Sequence, residues 1–232
     1  MDYSYLDRNV GKIKGQITAA AERAGRDPRD IMLVAAVKYA DADEINYLCH
    51  KAGIKDIGEN RVQQMLEHLE KIDADGVRIH FIGSLQTNKV KYIIDKVHMI
   101  HSLDSERLAA EIDKQAGKRG ICARVLVEIN SGNEESKGGV LPDMAEELCL
   151  SLSKYKNIEL CGFMTMAPRC ERKEDYYRYF GDTVTLCEKI WHDSLGREDK
   201  MVLSMGMSES FEIAIECGSS AVRVGRSLFY KD

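Results

Sequence analysis

The chain has 232 residues and a mass of 26.2 kDa, 44% of them hydrophobic and 31% charged, enough to bury the core of one large domain. A net charge of −5 without any basic block excludes a broad nucleic-acid surface, and no apolar run is long enough to cross a bilayer or to form a signal-peptide core, so a soluble, cytoplasmic protein is expected. The seven cysteines stand singly with no C-x-x-C pair, a spacing that supports neither a zinc site nor a disulfide framework; most lie in apolar segments, and Cys170, in a polar run, is expected at the surface.

Leu6, Val10, Ile13, Ile17 and Ala20, at three- and four-residue spacing, predict a helix over 3–24, stopped by Gly25 and Pro28. It precedes the first strand and reads as an addition to the repeat that follows. The apolar run 31–38, ending in Lys38, predicts a strand buried on both faces. A turn over 40–43 leads to a helix over 43–52, with Ile45, Leu48 and Cys49 on one face and Gly53 at its end. Residues 56–60 form a short second strand, followed by a helix carrying Val62, Met65, Leu66 and Leu69 on one side. The alternation continues with strand 78–83, helix 88–96, strand 97–103, and a helix over 106–116 capped by Ser105. Strand 122–130 is followed by a glycine-bearing loop, a helix opened by Pro142 and running to about 155, strand 159–166 and a long helix over 175–193. Strand 201–205, a short helix over 209–216 and strand 221–225 complete the series.

Eight strands with helices between them, in a chain of this length, predict an α/β fold: a single (β/α)8 TIM barrel with an extra N-terminal helix, one domain over residues 1–232. A doubly wound open sheet shares the local alternation, and only the strand count favours closure. Barrels place functional groups at the C-terminal ends of their strands. Here those ends carry Lys38, Glu59 and Asn60, Gly83, Ser84 and Gln86, His101 and Asp104, Asn130, Thr165, and the stretches 204–208 and 223–227. Lysine at the mouth of an apolar strand loses hydration, which favours the neutral amine that attacks an aldehyde; a lysine that snorkels to solvent is the ordinary alternative. The small-residue turns after the last two strands lie where barrels commonly cradle phosphate. An amine and a phosphate cradle at one mouth suit a ligand with an aldehyde and a phosphate, pyridoxal 5′-phosphate (PLP) foremost and a sugar phosphate, as in a Schiff-base aldolase, second.

Ala36-Val37-Lys38, Ile57-Gly58-Glu59-Asn60, the run from His80 to Lys89, the run from Gly162 to Pro168, Leu203-Ser204-Met205-Gly206-Met207-Ser208 and Val222-Arg223-Val224-Gly225 resemble the successive signatures of the pyridoxal phosphate homeostasis proteins, which are similar to the barrel domain of alanine racemase. The resemblance runs from the first strand to the C-terminus. It implies that Lys38 forms a Schiff base with PLP and that Asn60 lies near the ring. It further implies that Ser208, with the backbone around Gly225 and Arg226 and the LSMGMS stretch from Leu203 to Ser208 that includes Ser204, holds the phosphate. Arg223 would face the pyridine nitrogen or the adjoining phosphate edge, and a guanidinium there disfavours the pyridinium and weakens the ring as an electron sink. A barrel-end ion pair of Arg223 with Glu59 or Glu216 is the alternative. Two positions depart from the pattern: Tyr39 stands where a threonine is common, and Ser84 where a larger residue is common.

Other candidates weigh less. His80 is expected to be a packed strand histidine, and His98 and His101, three apart in one strand, to lie on opposite faces. Lys137, in the loop after the fifth strand, could reach the phosphate or stay solvated. A racemase needs a second base opposite the lysine, which alanine racemase takes from a second domain; this chain ends just after the eighth strand. The expectation is therefore a PLP-binding protein without substantial turnover that holds, buffers or delivers the cofactor, as a monomer, with PLP-dependent apoenzymes as candidate partners. An amino-acid racemase of the PLP type is the alternative.

Overall fold

The computed structural model describes residues 2–132, 134 and 138–231. Among them, eight parallel strands close into a barrel in sequence order: β1 (Met32–Ala36), β2 (Asp56–Glu59), β3 (Arg78–Phe81), β4 (Met99–Leu103), β5 (Ala123–Ile129), β6 (Ile158–Thr165), β7 (Val202–Ser204) and β8 (Ala221–Val224). Closure is decided by β1 pairing with β8, Met32 opposite Ala221 through Ala35 opposite Val224, which excludes the open sheet. Along β1 and β8 side chains alternate, so Val34 and Arg223 face inward while Leu33, Ala35, Val222 and Val224 pack outward against helices.

The helices are α1 (Ser4–Arg23), α2 (Ala42–His50), α3 (Val62–Leu69), α4 (Val90–Ile93), α5 (Glu106–Arg119), α6 (Pro142–Ser151), α7 (Lys173–Glu188) and α8 (Phe211–Glu216). Helix α1 has a place in the ring. Its buried stripe, Val10, Ile13, Ile17, Ala20 and Ala21, shares a core with Ala35 of β1, Val222 and Val224 of β8 and Phe211 and Ile215 of α8. It thus covers the side of the barrel that a helix after β8 would cover in the eightfold repeat.

Several boundaries differ from expectation. β1 stops at Ala36, because the bond from Val37 N–H to Gly58 O (3.1 Å) is its last to β2 and the chain then turns, Ala40 N–H bonding Val37 O at 3.0 Å. Lys38 therefore lies in the turn. A capping box between Asp41 and Glu44 starts α2 immediately afterwards, Glu44 N–H to Asp41 Oδ1 at 2.8 Å and Asp41 N–H to Glu44 Oε2 at 3.0 Å. The helix expected over 88–96 is a 3-10 turn, Thr87–Lys89, followed by the single turn of α4. Helix α7 ends by widening into a π-helix, Lys189–Ser194, where buried Trp191 donates its Nε1–H to Asp199 O (2.8 Å).

Candidate functional site

Six of the seven residues singled out in the sequence come together at the C-terminal end of the barrel, around one cavity of about 330 Å3 lined by Lys38, Asn60, Ser208, Arg223, Gly225 and Arg226. That volume lies within the range of small-ligand sites, roughly 300–1,000 Å3. Lys38 is exposed, with its Nζ 4.7 Å from the centroid of the Tyr39 ring and its carbonyl held by Gln64 Nε2 of α3 at 2.9 Å. The expected desolvation of this lysine is not found: the strand ends two residues earlier, and the side chain stands in the open mouth.

Asn60 follows β2 and leaves its buried Oδ1 without a hydrogen-bond partner among the described residues. Its position depends on Gly83, where an added Cβ would sit 2.1 Å from Asn60 O, so the end of β3 can press against Asn60 only without a side chain. Gly225 does the same between β8 and β1, a Cβ there falling 3.0 Å from Ala36 O. The turns after β7 and β8 are tied together by Arg226 Nη1 and Glu209 Oε1 at 2.7 Å. Among the described residues the backbone N–H groups of Ser208, Glu209 and Arg226 have no acceptor, leaving three donors at the cavity edge for an anion.

Arg223 forms the floor. It is 4% exposed and donates through Nη1 to Ser204 O and Ser204 Oγ, both at 2.7 Å, and through Nη2 to Thr165 O at 3.0 Å. Its Nε–H and second Nη2–H have no protein partner among the described residues. The alternative pairing with Glu59 or Glu216 is excluded, since Glu59 is engaged by His68 Nδ1 (2.6 Å) and Glu216 by Arg23 (2.6 Å). Burial lowers the Arg223 pKa to about 10, against the pull of Glu128, which leaves the guanidinium charged at neutral pH. Burial likewise pushes the Glu128 carboxyl up to about 7, with Arg223 opposing.

Ser204 is not on the cavity wall. Fully buried beneath Arg223, it touches His101 and Arg223 and reaches a ligand only through the arginine. His80 is packed, as expected, but His98 and His101 are not on opposite faces: both rings lie edge-on to His80, at 5.4 and 5.0 Å. His98 precedes β4, and the register of β4 on β5 shifts between Ile100 and Leu103, which breaks strict alternation. Lys137 lies outside the described residues. The rest of the wall, including Ile82, Met166 and Tyr176, was not singled out; Tyr176, on α7, accepts from Cys170 N–H at 3.2 Å, and nothing in its tyrosine-rich run distinguishes it.

Residues 9–231 match the family described as alanine racemase, N-terminal domain. A pyridoxal phosphate homeostasis protein of Aquifex aeolicus is 42% identical over 223 residues, covering 95% of each chain. This chain belongs to the pyridoxal phosphate homeostasis protein family. Within the family fold, an unknown protein of Bifidobacterium adolescentis superposes with a TM-score of 0.90 at 32% identity, covering 99% of this chain and 97% of that one. PipY of Synechococcus elongatus, whose structure has PLP bound, superposes with a TM-score of 0.79 at 27% identity, covering 92% of this chain and 100% of PipY. Among the described residues, no helix of this family member is long and apolar enough to cross a membrane.

Proposed function

We propose that this protein binds PLP at the mouth of its barrel and holds the cofactor for the cell's vitamin B6 balance, with Lys38 as the residue that binds it covalently. The observation that carries this reading is the convergence on one cavity of an accessible amine, the unpartnered Asn60 Oδ1, spare Arg223 N–H groups and three free backbone donors. PLP supplies an aldehyde for an amine and, in enzymes, an electron sink for carbanions. The residues here fit its parts: Lys38 for the aldehyde, Arg223 and Asn60 for the ring, and Ser208 with the backbone at Glu209 and Arg226 for the phosphate. Adding PLP to the purified protein is expected to produce a visible absorption band that Lys38→Ala abolishes; a band unchanged in that variant would refute the assignment.

The same geometry supports a holding role over turnover. A charged Arg223 at the ring nitrogen disfavours the pyridinium, and the ring is then a poor sink for the carbanion a racemase must stabilise. Amino acids incubated with the PLP-loaded protein in deuterium oxide are therefore expected to retain their α-protons. Exchange at an enzymic rate would establish the racemase alternative. The exposed rim around Lys38, Tyr39 and Met207 leaves the amine open to solvent and to other proteins, as release to PLP-dependent apoenzymes requires.

A further inference from the structure

A line of polar side chains runs through the middle of the barrel beneath the cavity, and none belongs to the cavity wall except its last member. At the opposite end of the barrel, in an open groove of about 1000 Å3, Arg78 donates from Nε and Nη2 to both oxygens of Asp56, each at 2.6 Å. His80 Nε2 lies 2.9 Å from Asp56 Oδ1, His80 Nδ1 lies 2.8 Å from His101 Nε2, and His101 Nδ1 lies 3.0 Å from Ser204 Oγ. Arg223 Nη1 completes the line at 2.7 Å from Ser204 Oγ. His80, His101 and Ser204 are wholly buried, so bulk solvent does not reach them and each polar atom depends on its neighbours along the line.

Only one direction of protons satisfies every member. The Asp56 carboxylate accepts, so His80 carries its proton on Nε2 and offers Nδ1 as an acceptor. His101 then donates from Nε2 and offers Nδ1 to the Ser204 hydroxyl, whose oxygen accepts from Arg223. Were His80 cationic, the bonds would reverse as far as Ser204, and its hydroxyl proton would have no acceptor in a buried site. The surroundings agree. Burial above all, with the charge of Arg223 acting the same way, holds the His101 pKa well below the usual range, and His98, which faces Arg124 Nη1 at 2.9 Å, is likewise depressed, first by burial.

We propose that Asp56, His80, His101 and Ser204 are positioning residues for Arg223: a one-way chain of hydrogen bonds, anchored by an anion at the far end of the barrel, fixes the face the guanidinium presents to the cofactor ring. The chain works through its cooperative polarisation, each bond strengthening the next. It predicts that a change at Asp56, on the opposite side of the barrel, alters the cofactor's surroundings without touching the cavity.

The spectral arm of the test rests on the PLP reading, while the tautomer arm does not. Two-bond 15N–1H correlation spectra of the ligand-free protein at neutral pH are expected to show His80 and His101 both neutral with the proton on Nε2. A proton on Nδ1 of either, or a cationic ring, would overturn the chain whether or not PLP binds. In the PLP-loaded protein, Ser204→Ala and Asp56→Asn are each expected to shift the visible band and weaken PLP binding roughly tenfold, the scale of one hydrogen bond to a charged group, and Ser204→Thr to restore both. Folded variants with the wild-type band and affinity would overturn the positioning role. A wild-type protein that takes up no PLP would instead refute the proposed function, leaving the tautomers to decide the chain.

Discussion

Glu128 and Arg223 are charges buried at the top of the barrel interior, each 4% exposed, and burial costs both more than their mutual attraction returns. The consequence for stability has a definite sign. The Glu128 pKa rises to about 7 on folding, so its contribution is fully present below the ordinary carboxylate range and is lost as pH rises through about 7. Glu128→Gln should therefore stabilise the protein at pH 8, by on the order of 1–2 kcal/mol, and have little effect at pH 4, as read from urea midpoints at the two pH values. His101 acts in the opposite sense: its depressed pKa removes stability as pH falls below the ordinary imidazole range of about 6.5. Single residues of this kind were partly legible in sequence. Lys38, Asn60 and Arg223 stood at strand ends and in recognisable motifs, whereas Glu128 looked like any polar residue of a β-strand.

At the scale of elements, the strands were legible because each is a short apolar run bounded by turn residues, and β2 through β8 appear within a few residues of their expected limits. Helix limits were less so, since α4 shortens to a single turn after a 3-10 start and α7 widens into a π-helix, adjustments set by packing on the barrel. Helix α1 shows how local periodicity can reveal an element and conceal its role. The spacing of Val10, Ile13 and Ile17 gives an amphipathic helix, but only the closed barrel shows that its apolar face covers β8 and β1. Its loss should open that seam. Ile13, 1% exposed, is expected to cost about 2–4 kcal/mol when replaced by alanine, measured by chemical denaturation, more than a peripheral addition would.

For the whole molecule, closure is what makes a site of these residues. Lys38 on β1's turn and Arg226 beyond β8 are at opposite ends of the sequence, yet the β1–β8 pairing sets them on one rim, and Gly225 lets the two strand ends approach. The interior chain from Asp56 to Arg223 was not legible, because its contacts join residues 19 to 103 positions apart and depend on strand stagger and on the shifted register of β4. Motif spacing carries no information on such pairings. The barrel as a whole thus presents an accessible amine above a fixed guanidinium, with anion donors to one side. The most direct measurement is borohydride reduction of the PLP-loaded protein followed by peptide mass mapping. The account predicts a pyridoxyl phosphate adduct on Lys38 and none in Lys38→Ala; an adduct confined to other lysines, or unchanged labelling of that variant, would contradict it.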